Sequence, residues 1–161
     1  MRLMKTLTLL GVLLIAVPIA VSAAPLTKRV GWRIIETDSG FGELVQNLEA
    51  NIKANKMLIV TVASASDGAK GQGITIPGNR VVGVYRNDFA RRMLEASVAA
   101  GIEAPIRFYV TEDENGTSTL SYKLPSAVFA PYFDEGGDEL RKLAGELDEI
   151  FAKIADDTIK S

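Results

Sequence analysis

The sequence predicts an α+β domain, with helices packed on one face of a curved, mostly antiparallel sheet of about five strands. Three observations predict it. Segments with strand and helix periodicity run in the order strand, helix, strand, loop, strand, helix, hairpin, helix. Asp113-Glu114-Asn115-Gly116 joins two alternating segments, and Asn-Gly in that position signals a hairpin. Near the end, Leu140, Leu143, Leu147, Ile150 and Ile154 recur at alternating spacings of three and four. They mark a long amphipathic C-terminal helix, too short for a coiled coil and therefore expected to dock on the sheet.

Each element has its own local warrant. Val30–Thr37 alternates Val30, Trp32 and Ile34 with Gly31, Arg33 and Ile35, as a strand does. Asp38-Ser39 offers an N-cap to a helix that carries Phe41, Leu44, Val45, Leu48 and Ile52 on one face and ends near Asn55. Met57–Ala63 is apolar on both parities, which predicts a central strand covered on both faces. Ala65–Asn79 is rich in Gly and small polar residues and reads as a long mobile loop; its Gly68-x-x-Gly71-x-Gly73 lacks the spacing of a phosphate cradle. Arg80–Arg86 is a strand that runs into Asn87 as N-cap and Asp88 in the first turn. That helix turns Phe89, Met93, Ala96 and Ala100 inward and stops at Gly101. Ile106–Glu112 and Thr117–Leu124 form the hairpin. Pro125 and Pro131 frame an irregular stretch before the helix Asp138–Ile159, on whose outer face Glu149 and Lys153 stand at i,i+4.

The N-terminus reads as an export signal. Met1-Arg2-Leu3-Met4-Lys5 is basic, Leu7–Val21 is apolar, and Val21-Ser22-Ala23 fits a cleavage site. Residues 1–23 are thus expected to be a signal peptide and 24–161 a single domain, periplasmic or secreted after cleavage near Ala23, meeting the membrane only through the transient signal. The mature part is 138 of the 161 residues, and loss of Arg2 and Lys5 leaves 16 basic against 20 acidic side chains. A domain at −4 gives no electrostatic reason for nucleic-acid binding.

The chain contains no Cys and no His. That removes disulfides, thiolate nucleophiles, Cys/His zinc sites and every imidazole base. Catalysis would need carboxylates, a lysine or an activated serine, and neither G-x-S-x-G nor S-x-x-K occurs. Glu112, Asp113 and Glu114 cluster at a hairpin tip, where solvated charge is ordinary. No metal site and no cofactor are expected.

Strand parity points elsewhere. If Trp32, Ile34, Leu58, Val60, Phe108, Val110, Leu120 and Tyr122 face the helices, the opposite face shows Arg33, Ile35, Ile59, Thr61, Arg107, Tyr109, Thr119, Ser121 and Lys123. Three basic side chains interleaved with Tyr109 and Ile35 suit an anionic, aromatic or protein partner better than plain solvent. The bland alternative is an ordinary exposed face with scattered apolar residues.

From Asn79-Arg80-Val81-Val82-Gly83-Val84-Tyr85-Arg86-Asn87 through Ile102-Glu103-Ala104-Pro105-Ile106, Glu112-Asp113 with Gly116, and Ser121-Tyr122 with Pro125, the chain resembles the DUF302 family. The amphipathic segment Phe41–Ile52 matches the family's opening helix, and it is the order of these motifs that carries the resemblance. It implies a TATA-binding-protein-like α+β fold, with dimers in keeping, and it implies no activity. Many relatives carry an Asp-His pair just after the second strand, where this chain has Ser64-Ala65-Ser66-Asp67, and a proline after the asparagine, where it has Asp88. No role tied to that histidine carries over.

The expected function is an exported, non-enzymatic binding or interaction domain that uses the open sheet face. Its candidate residues are Arg33, Ile35, Arg107, Tyr109 and Lys123, and its candidate partners are a second copy, a small molecule or another protein. The alternative is a small-ligand carrier or enzyme with a pocket between the C-terminal helix and the sheet, near Tyr85, Asn87 and Tyr122.

Overall fold

The computed structural model describes residues 26–161; the expected export signal and cleavage site lie outside them. Five strands form one open antiparallel sheet in the order β1-β5-β4-β3-β2: β1 (Trp32–Thr37), β2 (Leu58–Ala63), β3 (Asn79–Tyr85), β4 (Ile106–Glu112) and β5 (Ser118–Lys123). The helices are α1 (Phe41–Ala54), α2 (Ala65–Lys70), α3 (Asn87–Ala96), α4 (Pro125–Phe129) and α5 (Phe133–Thr158). None of them is long and apolar enough to cross a membrane.

The core lies between the sheet and the helices, as the periodicities predict. Leu44, Val45, Leu48 and Ile52 of α1 and Leu140, Leu143, Leu147 and Ile154 of α5 bury against Val82, Val84, Phe108, Val110, Leu120 and Tyr122. Phe151 is fully buried while Ile150 packs at the margin, so the apolar stripe of α5 is broader than a 3-4 count suggests. The hairpin turn is closed by the Gly116 N–H donating to the Asp113 carbonyl at 3.0 Å. Gly116 has φ +84° while Asn115 does not enter positive φ, so the glycine alone supplies the left-handed residue of the turn.

Several local expectations are corrected. The segment around Met57–Ala63 is not central: β2 is the sheet edge, with Leu58, Val60 and Val62 exposed. Its register shifts between Ile59 and Thr61, so Val60 is a bulge that puts Ile59 and Val62 on the helix side. Apolar residues on both parities therefore mark a bulged edge here. Ala65–Lys70 is helical, not loop, because the Ser64 side chain accepts the Asp67 N–H at 3.0 Å and caps it. Helix α1 starts after Gly40 with no side-chain cap, so Asp38-Ser39 lies just outside it. Helix α3 stops at Ala96, and Ala100 is buried from a separate 3₁₀ turn, Ala99–Glu103. The stretch after Pro125 is α4 and a 3₁₀ turn, with the Asp148 carboxylate accepting the Ser126 N–H at 2.9 Å. Helix α5 breaks at Gly137 (φ 59°, ψ −149°), so its regular part begins at the expected Asp138. Lys153 pairs with Asp157 at 2.6 Å, not with Glu149.

Ion pairs brace the helical layer. Arg92 of α3 donates to Glu139 at 2.7 Å and to Glu146 at 2.7 Å, both on α5. Arg92 holds the Glu146 carboxyl below its ordinary value, as Arg86 does Asp88 and Lys153 does Asp157. Folded values below unfolded ones mean a stabilising contribution that is present above the ordinary value, 4.5 for Glu, and is lost as pH falls from there through the lowered folded value. Arg92→Ala is expected to cost about 1 kcal/mol near neutral pH, discounted for exposure. Urea midpoints checked at about pH 7 and about pH 3 should show the gap to wild type narrowing at the acid end. An equal gap at both values would remove the ion pairs as its cause.

Candidate functional site

The strand register decides which side chains share the open face. Across β1 and β5, Arg33 stands opposite Tyr122 and Ile35 opposite Leu120, whereas Trp32 stands opposite Lys123 and Ile34 opposite Ser121. Facing residues of an antiparallel pair point the same way. The expected parity of β1 is therefore reversed: Arg33 and Ile35 belong to the helix side, and Trp32 and Ile34 to the open side. Ile35 packs against the core. Arg33 donates to the Asp156 carboxylate of α5 and, at 3.5 Å, to the Tyr122 hydroxyl. Burial alone would lower the Arg33 guanidinium, but these two hydrogen bonds together raise it above its ordinary value.

Strands β4 and β5 keep the expected parity. Tyr109 stands between Ser121 on β5 and Val81 on β3, on the open side. Arg107 and Lys123, next in sequence to the paired Phe108 and Tyr122, are both exposed on the open side. Ser121 is fully buried although it faces outward, because its small side chain sits below Ile34 and Tyr109. The open face thus has a cationic row, Trp32-Lys123-Arg107, beside a more apolar row, Ile34-Ser121-Tyr109-Val81.

Trp32, Lys123, Arg107, Tyr109 and Val81 of these rows line a groove of about 360 Å³ together with Glu103 and Val128. The Lys123 ammonium lies 5.7 Å and the Arg29 guanidinium 5.6 Å from the centroid of the Trp32 ring. Glu103 accepts the Tyr132 hydroxyl at 2.9 Å, which raises the Tyr132 phenol. At the opposite end of the face, Glu36, Asp38, Asp113 and Glu114 line a second concavity of about 490 Å³. The face is electrically bipolar, basic at the Trp32 end and acidic at the hairpin end.

The helix side offers far less room. A gap of about 30 Å³, room for about two waters, lies among Val84, Tyr85, Phe89, Met93, Leu143 and Phe151. Tyr85 lines it and donates to the Asn87 side chain at 3.4 Å. Asn87 is the first residue of α3, with Arg86 as the cap. Tyr122 is 1% exposed, its ring 5.1 Å from Phe108 and 5.5 Å from Phe151. Burial raises its phenol, partly offset by Arg33. The structure therefore does not bring Tyr122 together with Tyr85 and Asn87. Among the described residues no three His, Cys, Asp or Glu side chains are grouped to hold a metal ion.

Sequence reasoning missed Trp32 as a groove residue. The signal that could have found it is pairing: once Lys123 is placed outward, its antiparallel partner must follow.

Comparison with known proteins agrees with this architecture. Among solved structures the chain is similar to an uncharacterized conserved protein, DUF302, from Bacillus stearothermophilus, at 18% identity and a TM-score of 0.69. That match covers 80% of this chain and 98% of the other, and at such identity it speaks for the fold alone. No curated protein matches. The model of one family, described as a domain of unknown function, matches residues 34–158, from within β1 to the last turn of α5. The chain belongs to the DUF302 family.

Proposed function

We propose that this protein is an exported, non-catalytic binding domain whose working surface is the open face of its sheet. The observation that carries the reading is the contrast between the two sides. The gap beside Tyr85 on the helix side offers only about 30 Å³, while the open side keeps a groove of about 360 Å³ between aromatic and cationic side chains. Grooves of that volume, apolar with a few convergent polar groups, suit small organic molecules. Export is supported by the sequence of residues 1–23, and the working protein is then residues 24–161.

A second copy of the chain is the other reading, favoured by the bipolar charge. Two copies packed open face to open face about a two-fold axis that lies between the sheets, across the basic-to-acidic direction, would set the basic end of each on the acidic end of the other.

Solution mass, combined with emission from Trp32, the sole tryptophan, tests both readings. The native protein recovered after export should weigh as residues 24–161. If a second copy covers the face, a concentration series shows a dimer that Tyr109→Glu reduces to a monomer. A monomer in both variants, with Trp32 emission that answers to small organic ligands, leaves the groove as the site. A monomer whose emission answers to none overturns the open-face reading.

A further inference from the structure

We infer that the groove at the basic end of the open face binds an amphipathic organic anion: a carboxylate held between Arg107 and Lys123, with an apolar body lying over Trp32, Tyr109 and Val81. The inference rests on the open-face reading and names the ligand class for it.

Arg33, Arg80, Arg86 and Arg92 are each met by a carboxylate within 2.8 Å, while Arg29 and Arg91 stand without one among the described residues. Arg107 and Lys123 have no such partner among the described residues, although they adjoin the Phe108–Tyr122 pair on neighbouring strands and line one groove. Like charges on neighbouring strands repel, most when directly opposite. The one carboxylate lining the groove, Glu103, accepts the Tyr132 hydroxyl and forms no ion pair with either cation. The cationic pair therefore costs stability in the free protein, and an anion placed between the two groups relieves that cost on binding. The guanidinium of Arg107 presents the fork that matches a carboxylate, and Lys123 adds a point charge.

The remainder of the groove is not a site for a bare anion. Trp32, Tyr109, Val81 and Val128 line it with ring and methyl surface. Inorganic phosphate would satisfy the two cations and leave that surface wet, whereas an arylalkyl carboxylate covers both parts. The Trp32 ring already has cations near its face, so it stands at the junction of the charged and apolar halves.

Trp32 is also the reporter. The protein of residues 24–161 is titrated with 4-phenylbutyrate, with its neutral amide and with inorganic phosphate, and Trp32 emission is followed. The expected result is a saturable change with phenylbutyrate and at least tenfold weaker binding of both the amide and phosphate. The double substitution Arg107→Gln, Lys123→Gln should abolish the preference for acid over amide without lowering the melting temperature, since it removes a repulsion. Equal binding of acid and amide, or a preference that survives the double substitution, overturns anion recognition while leaving the open face as a binding surface. Phosphate binding as tightly as phenylbutyrate overturns the amphipathic class. Emission that answers to no probe overturns the inference alone if the chain is a dimer, and the open-face reading with it if the chain is a monomer.

Discussion

Replacing Phe108 by alanine is expected to lower the unfolding free energy by about 4 kcal/mol, read from urea or thermal denaturation. Phe108 lies on β4, an interior strand, and is fully buried. Its ring stacks on Phe151 of α5 at 4.5 Å with an interplanar angle of 14°, and meets Tyr122 of β5 edge-on at 5.1 Å. These three rings join the sheet to the long helix. Truncation removes the transfer energy of the ring and leaves a cavity that β4, held by strands on both sides, cannot collapse to fill. It also removes two aromatic pairs, each worth about 1 kcal/mol beyond area. Phe108→Leu keeps most of the volume and should cost under half as much. A loss below about 1 kcal/mol for the alanine variant would mean that the ring cluster is not the centre of the core.

Gly83→Ala is expected to destabilise by about 2 kcal/mol, although alanine is ordinarily the better residue inside a strand. Gly83 sits on β3, where Thr61 of the bulged edge strand and Pro105 close over it. A Cβ built there would lie 2.1 Å from the Thr61 Oγ1 and 2.9 Å from the Pro105 Cγ. Its backbone is not left-handed, so the demand for glycine comes from close approach alone. For a domain of this size, the melting temperature should fall by roughly 6 to 8 °C. Adding Thr61→Ala removes the nearer atom and should restore about half of the loss, a non-additive recovery that only direct contact produces. A Gly83→Ala variant as stable as wild type would place Thr61 elsewhere than over Gly83. The substitution is also informative for function, because Gly83 lies beside Arg107 in the β3–β4 register, next to the proposed groove.

Some elements were legible because their signals are local. The stripe of α1, the Asn115-Gly116 hairpin and the regular part of α5 from Asp138 each depend on residues within a few positions of one another. Other features escaped for the same reason reversed. Nothing local tells an edge strand from a central one, and Leu58-Ile59-Val60-Thr61-Val62 reads as doubly buried until the sheet order shows that only β3 flanks it. The candidate site divided along this line. Arg107, Tyr109 and Lys123 lie on the open face because their neighbours Phe108 and Tyr122 had only one way to bury. Arg33 and Ile35 do not, because β1 alternates Trp32 and Ile34 against Arg33 and Ile35, with apolar side chains on both parities.

Composition and periodicity alone thus determined the class of fold, the absence of imidazole and thiol chemistry, and the stripes that make the core. Those properties follow from residue type and from spacing along one chain. The tertiary structure alone decided the order of the strands, the outward face of Trp32, the gathering of Arg107 and Lys123 in one groove with Trp32, and the small gap left beneath α5. Each of these is a relation between segments distant in sequence. Each is set by which strand pairs with which and in what register, and a shift of one residue there turns every side chain of a strand to the other face.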